Sequence, residues 1–142
     1  MRKLFQIAIL FTSTLVLSQD SRVFDNLKVN SKILNQERSY AVYLPADYDS
    51  SERSYPVLYL LHGLGDDQTG WIKLGDVQRI TDESINSGIS TPMIIVMPDA
   101  NTGVTGYINY PDRDWFYEDF FFEELIPHVE SCLLYTSPSP RD

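Results

Sequence analysis

Apolar residues recur along this chain in two rhythms, and the switch between them predicts most of its elements. Residues 22–30 alternate loosely between apolar and polar positions, which predicts a first strand. Residues 39–44, Ser-Tyr-Ala-Val-Tyr-Leu, are β-branched and aromatic and stop at Pro45, which predicts a second. Residues 57–61 and 93–97 are continuous apolar runs, Val-Leu-Tyr-Leu-Leu and Met-Ile-Ile-Val-Met. Runs of that length suit strands buried on both faces, as in a parallel sheet. Between them lie a glycine-bearing loop, residues 63–75, and a stretch that Asp76 can cap and Gly88 can end, predicting a helix over residues 77–87. Strand, loop, helix and strand in that order make a βαβ unit.

Residues 101–114, rich in Gly, Asn, Asp and Tyr, read as a surface loop. Asp114 can then cap a helix through Val129, on which Tyr117, Phe121, Leu125 and Val129 recur every four residues as one apolar stripe. Glu118 and Asp119 fall in its first turn, where negative charge is favoured, and the acidic run 115–124 reads as a solvated helix face. Pro127 conflicts with this helix, because an interior proline removes a hydrogen bond at a cost of ~3 kcal/mol. It predicts a kink or an early end. After Glu130 no helical or strand period continues. Residues 131–142 read as a non-native tail, an assembly or adapter scar, with a genuine flexible tail as the alternative.

The front end has the layout of a secretory signal peptide. Met1-Arg2-Lys3 is basic, and the run from Leu4 to Leu17 is mostly apolar and free of acidic residues. It is shorter than the ~20 residues of a spanning helix, so cleavage before Gln19 is expected. The organisation expected is a signal peptide over residues 1–18, the N-terminal part of one domain over 19–130, and the tail over 131–142.

Charge narrows the partners. The chain carries a formal net charge of −9, and loss of Arg2 and Lys3 with the leader makes it more acidic still. Such a surface repels nucleic acid and anionic membranes. Neutral substrates or esters are the expected partners rather than polyanions, in a secreted or periplasmic setting. Cys132 is the only cysteine, so neither an intramolecular disulfide nor a structural zinc site can be built from cysteine. His62 and His128 share no metal-ligand spacing.

The residues that carry chemistry are Leu60-Leu61-His62-Gly63-Leu64-Gly65, where a buried run enters a His-Gly turn. In hydrolases a loop of this kind presents a backbone N–H to the oxyanion of a tetrahedral intermediate. Glycine permits the sharp turn and leaves room for the substrate carbonyl. Leu64 N–H is the expected donor, with Gly63 part of the oxyanion loop. An ordinary strand-ending turn is the alternative.

Tyr40-Ala-Val-Tyr-Leu-Pro45, Tyr55 to Gly63, Trp71, Pro92 to Asp99 and Glu123-Glu-Leu-Ile-Pro127 occur in one order. Together they resemble the esterase family that includes esterase D (S-formylglutathione hydrolase), feruloyl and acetylxylan esterases, enterochelin esterases and the antigen 85 mycolyltransferases. The resemblance covers roughly residues 22–130. It implies an α/β-hydrolase fold, α/β class, with a mostly parallel sheet and helices on both faces. It also implies a Ser-His-Asp/Glu triad, hydrolysis through an acyl-enzyme, and no cofactor. The Glu-Leu-Ile-Pro sequence recurs within that family's helix, which softens the objection to Pro127.

The nucleophile belongs on a Gly-x-Ser-x-Gly elbow, and these residues contain none. Gly88-Ile-Ser-Thr-Pro92 comes nearest, with Pro92 in place of the second glycine. In the family the elbow follows soon after the Glu-Leu-Ile-Pro helix, so the chain is expected to be truncated before its nucleophile. The triad histidine should follow the serine, so His62 is not the expected base, and His128 reads as an exposed helix residue. Asp66 and Asp67 read as solvated loop acids. Trp71, Tyr107, Tyr110 and Trp115 are candidates for binding a sugar or phenol, with packing under their own loops as the alternative. Two other readings stand beside the esterase: a non-catalytic glycan-binding β-sandwich, and an acyltransferase or peptidase on the same fold.

Overall fold

The alternating stretches form a hairpin, and the continuous runs form a parallel pair beside it. The computed structural model describes residues 20–103 and 105–136, so the expected leader and residues 137–142 lie outside it. Strand β1 (Arg22–Ser31) pairs antiparallel with β2 (Gln36–Leu44). A bulge between Phe24 and Leu27 shifts their register. Strand β4 (Ile94–Pro98) runs antiparallel to β2, and β3 (Val57–Tyr59) lies parallel to β4, giving the order β1-β2-β4-β3. The described sheet is therefore mixed, its parallel part being the β3–β4 pair. Two helices lie in the crossover between β3 and β4, α1 (Gly70–Lys73) and α2 (Val77–Asn86). The βαβ unit forms as its sequence predicts, and it is incompatible with the β-sandwich reading.

Period-two alternation sorts the side chains into two cores. Tyr40, Val42 and Leu44 of β2 join Ile94 and Val96 of β4 on one face. Ala41 and Tyr43 join Ile95 and Met97 on the other, where Val77 of α2 packs. The first face is covered by the C-terminal helical segment through Tyr117, Phe120, Leu125 and Val129. All five residues of β4 are buried because both faces are covered. Helices thus lie on both faces of the sheet.

Several local expectations are corrected. The run at residues 57–61 is not buried on both faces. It is a three-residue edge strand on which Leu58 is 44% exposed, since only β4 pairs with it. Asp76 stands at the N-cap of α2 in the left-handed region, φ 48°, but its carboxylate takes Arg79 at 2.5 Å rather than a backbone N–H. Asp114 does not cap the long helix. It ends a 3₁₀ turn (Pro111–Arg113) at φ 51°, after which β6 (Trp115–Phe116) pairs with β5 (Asn109–Tyr110). The helix begins at α3 (Tyr117–Phe120), and its free N–H groups are met from outside. Asn109 Oδ1 accepts from Glu118 N at 2.9 Å and Asp119 N at 3.4 Å.

Pro127 does not end the helix. A π-helical turn (Phe121–Leu125) precedes α4 (Ile126–Thr136), and Ile126 N–H reaches back five residues to the Phe121 carbonyl. The shift to i→i−5 bonding just before Pro127 lets a residue without an N–H enter the helix. The helix continues to Thr136, past Glu130 where the periodic pattern stops. Glu124 is not a solvated acid. It accepts from Ser31 Oγ at 2.5 Å and from Lys32 N at 2.9 Å, tying the π-turn to the β1–β2 loop.

Candidate active site: the loops after β3 and β4

Parallel neighbours β3 and β4 end at the same edge of the sheet, and the loops leaving them meet there. This C-terminal edge is where open α/β sheets bind ligands. Leu60 N–H still bonds the Val96 carbonyl at 2.8 Å, so the chain stays in the sheet up to the His-Gly turn. His62 is then 6% exposed, whereas Leu64 is 87% exposed.

The imidazole of His62 is spent on structure. Ala100 N–H donates to its Nε2 at 3.1 Å, so Nε2 carries a lone pair and the proton sits on Nδ1. Nδ1 then donates to the Gly63 carbonyl at 2.9 Å. His62 is therefore a brace between the two loops. Asp99 Oδ1 lies 3.6 Å from Nε2, outside hydrogen-bond range, and accepts instead from Asn101 N at 2.8 Å.

The backbone of His62 is held as well. Tyr107 Oη accepts from His62 N–H at 2.8 Å and donates to the His62 carbonyl at 3.1 Å. Burial pushes the Tyr107 phenol up to about 12, which keeps it a neutral donor-acceptor.

The Gly63 carbonyl accepts from His62 Nδ1, from Thr102 Oγ1 at 2.6 Å and from Asp66 N at 3.4 Å. Its partners lie on the protein side. In a trans peptide the C=O and the next N–H point opposite ways, so pinning this oxygen inward turns Leu64 N–H outward. Among the described residues nothing accepts from Leu64 N–H. The next amide, Gly65 N–H, is taken by Thr102 Oγ1 at 3.0 Å. The left-handed turn falls at Gly65, φ 76°, rather than at Gly63. A Cβ on Gly63 would meet nothing within 4 Å, so the space beside the free amide is open.

The loop after β4 is anchored to the core. Arg38 Nη2 donates to the Asp99 carbonyl at 2.7 Å and to its Oδ2 at 2.9 Å, with the arginine side chain only 8% exposed. Tyr117 Oη donates to the same carbonyl at 3.1 Å. These residues, and Thr102 above all, escape a sequence reading because each acts on a backbone atom far away in the chain.

The remaining candidates separate. Trp71 Nε1 donates to the Leu61 carbonyl at 2.9 Å, and the ring lies where a Cβ on Gly75 would stand, 2.6 Å from Cε3. Trp71 thus closes its own loop. Trp115 is a correction to the stacking rim. It is 6% exposed, its Nε1 donates to the Gly106 carbonyl at 2.8 Å, and Arg38 lies over its ring. Tyr110 is half-buried with Arg113 Cζ 5.4 Å from its ring centroid. Asp67 caps Thr69, whose hydroxyl and N–H hold its carboxyl below the usual range. Asp66 is half-buried and accepts from Asp67 N at 2.9 Å. His128 is half-buried, not exposed, and its Nε2 lies 3.2 Å from Tyr40 Oη. Among the described residues no cluster of His, Cys, Asp or Glu could hold a metal ion, and no helix is long and apolar enough to cross a membrane.

A sheet carrying a βαβ unit, covered on both faces, with a backbone donor at the C-terminal edge of its parallel strands, fits the α/β-hydrolase class. The family model described as Putative esterase matches residues 31–137, and the chain belongs to that family. An esterase of Mycobacterium tuberculosis is 40% identical over 96 residues, which are 63% of this chain and 19% of that protein. An endo-1,4-beta-xylanase/feruloyl esterase of Xylanibacter ruminicola is 34% identical over 101 residues, 66% of this chain and 14% of that protein. The solved structure of a ferulic acid esterase superposes with a TM-score of 0.76 at 37% identity, covering 81% of this chain and 44% of that one. The chain thus spans less than a fifth of the length of these curated relatives.

Proposed function

We propose that this chain supplies the oxyanion-binding part of an exported serine carboxylesterase. Its substrates are small or polysaccharide-linked acyl esters of the feruloyl or acetyl type. The observation that carries the reading is the unpartnered Leu64 N–H, turned outward by a Gly63 carbonyl pinned from behind. When a nucleophile adds to an ester carbonyl, negative charge gathers on the oxygen. A preoriented N–H stabilises that charge without reorganising during the reaction. One such donor typically contributes ~10²–10³ in rate.

Loss of the alkoxide re-forms the carbonyl as an acyl-enzyme, and water releases the acid by the same path. The serine, the acid and the base are contributed from outside these residues, which contain no Gly-x-Ser-x-Gly elbow. The ester class rests on the relatives, whose names include feruloyl esterase and xylanase activities. Export rests on the leader-like residues 1–18.

The test is hydrolysis of methyl ferulate and p-nitrophenyl acetate by the full-length protein, run beside a peptide substrate and an acyl acceptor. Ester turnover, with fluorophosphonate labelling a serine outside these residues, is expected. The 142-residue chain alone should give no burst. A burst from the chain alone, or ester inertness of the full-length protein, overturns the reading.

A further inference from the structure

We propose that Thr102 is the positioning residue of the oxyanion donor, a role that rests on the esterase reading above. Leu64 N–H belongs to the Gly63–Leu64 peptide, and the Leu64–Gly65 peptide follows it. One hydroxyl holds both. Thr102 Oγ1 donates to the Gly63 carbonyl at 2.6 Å and accepts from Gly65 N–H at 3.0 Å. The rotations about Leu64 Cα are thereby closed into a ring through a single side chain. Nothing about Leu64 itself could do this, because its side chain is 87% exposed and anchors the loop to nothing.

The same bond selects which amide is free. Gly65 N–H is consumed by Thr102, and Leu64 N–H is left for a ligand. Without the hydroxyl, Gly65 N–H would lose its acceptor, and the Gly63 carbonyl would keep only His62 Nδ1 and the longer bond from Asp66 N.

Thr102 is itself held. A β-branched side chain has few χ1 states. Its loop is closed by Thr105 Oγ1, which donates to the carbonyls of Ala100 at 3.0 Å and Asn101 at 3.2 Å. The two loops lie in contact at Gly103, where a Cβ would stand at ordinary contact distance, 3.7 Å, from Gly65 Cα. A continuous path therefore runs from the part-buried Arg38–Asp99 pair, along the chain through Ala100 to Thr102, and from its hydroxyl to the peptides beside the donor.

The experiment uses the full-length protein with Thr102→Val, Thr102→Ser and, as a hydroxyl-loss control away from both loops, Thr81→Val on α2. Ester hydrolysis is measured together with binding of a boronic acid, which forms a tetrahedral oxyanion-like adduct, and of free ferulate, which does not. Thr102→Val should lower kcat roughly ten- to hundredfold, with KM within about threefold. It should weaken the boronic acid in parallel while leaving ferulate binding in place. Thr102→Ser, which keeps the hydroxyl, should restore most of kcat. Backbone hydrogen exchange at Gly65 should accelerate in Thr102→Val, a readout that needs no turnover and survives partial destabilisation. Wild-type kinetics in Thr102→Val, an equal loss in Thr81→Val, or unchanged exchange at Gly65 would each overturn the proposal. An inert wild-type protein would instead remove the esterase reading beneath it.

Discussion

At the scale of single residues, polar side chains near the site work by fixing backbone atoms. His62 shows this best: one ring nitrogen accepts from Ala100 N–H and the other donates to the Gly63 carbonyl. In His62→Ala the Ala100 amide loses its acceptor in a buried place, and the ring's volume is left as a cavity. A destabilisation of about 2–4 kcal/mol is expected, measured as a shift of the urea midpoint, and an unchanged midpoint would show that the ring braces nothing. The residues His62, Gly63 and Leu64 were legible because the strand-into-His-Gly pattern is local in sequence. Thr102 and Tyr107 were not legible in these roles, because their partners lie 37 to 45 positions away, and Asp99 was not because Arg38 is 61 positions away. Aromatic side chains beside a polar loop suggested a stacking surface. Burial instead turned Trp115 into core and gave the Tyr107 hydroxyl a backbone to hold.

At the scale of elements, β3 is the exposed one. It is three residues long and bonded only to β4. Leu58 and Leu61 on it and just beyond it are 44% and 41% exposed. An apolar edge with unpaired backbone groups invites strand addition from another molecule. Leu58→Lys should therefore slow aggregation of the 142-residue chain, read by light scattering over time, while changing stability by less than about 1 kcal/mol. Equal aggregation rates would place the association elsewhere. The apolar run at 57–61 predicted a strand correctly, but periodicity reports only what a strand is suited to, not how many neighbours it has. The long helix shows the same limit. Its stripe at Tyr117, Leu125 and Val129 is buried as predicted, yet its start is decided by Asn109 and its passage through Pro127 by a π-turn.

At the scale of the whole molecule, tyrosines hold much of the two cores together, and their ionisation should open them. Burial is the first cause that raises Tyr40, Tyr43, Tyr55, Tyr59, Tyr107 and Tyr117 above their ordinary value, with Tyr59 and Tyr107 at about 12. A phenol whose folded value exceeds the unfolded ~10 favours the fold while it is neutral. Its contribution is complete below pH ~10 and is lost as pH rises towards about 12. Phenolate absorbance should therefore rise in two waves, exposed tyrosines first, with the second accompanied by loss of far-UV ellipticity. A single wave near the ordinary value with the ellipticity retained would contradict the burial.

The chain's own pattern determined the α/β class, the βαβ unit, the family and the position of the His-Gly loop. Each of these is written in residues close together, as a rhythm of burial or a short turn motif. Tertiary structure alone decided that β3 is an edge, that Trp115 is core, and that one threonine hydroxyl spans both peptides at the loop tip. Those facts depend on which distant segments arrive at the same place. Backbone amides and carbonyls carry no sequence signature of the partner that will reach them.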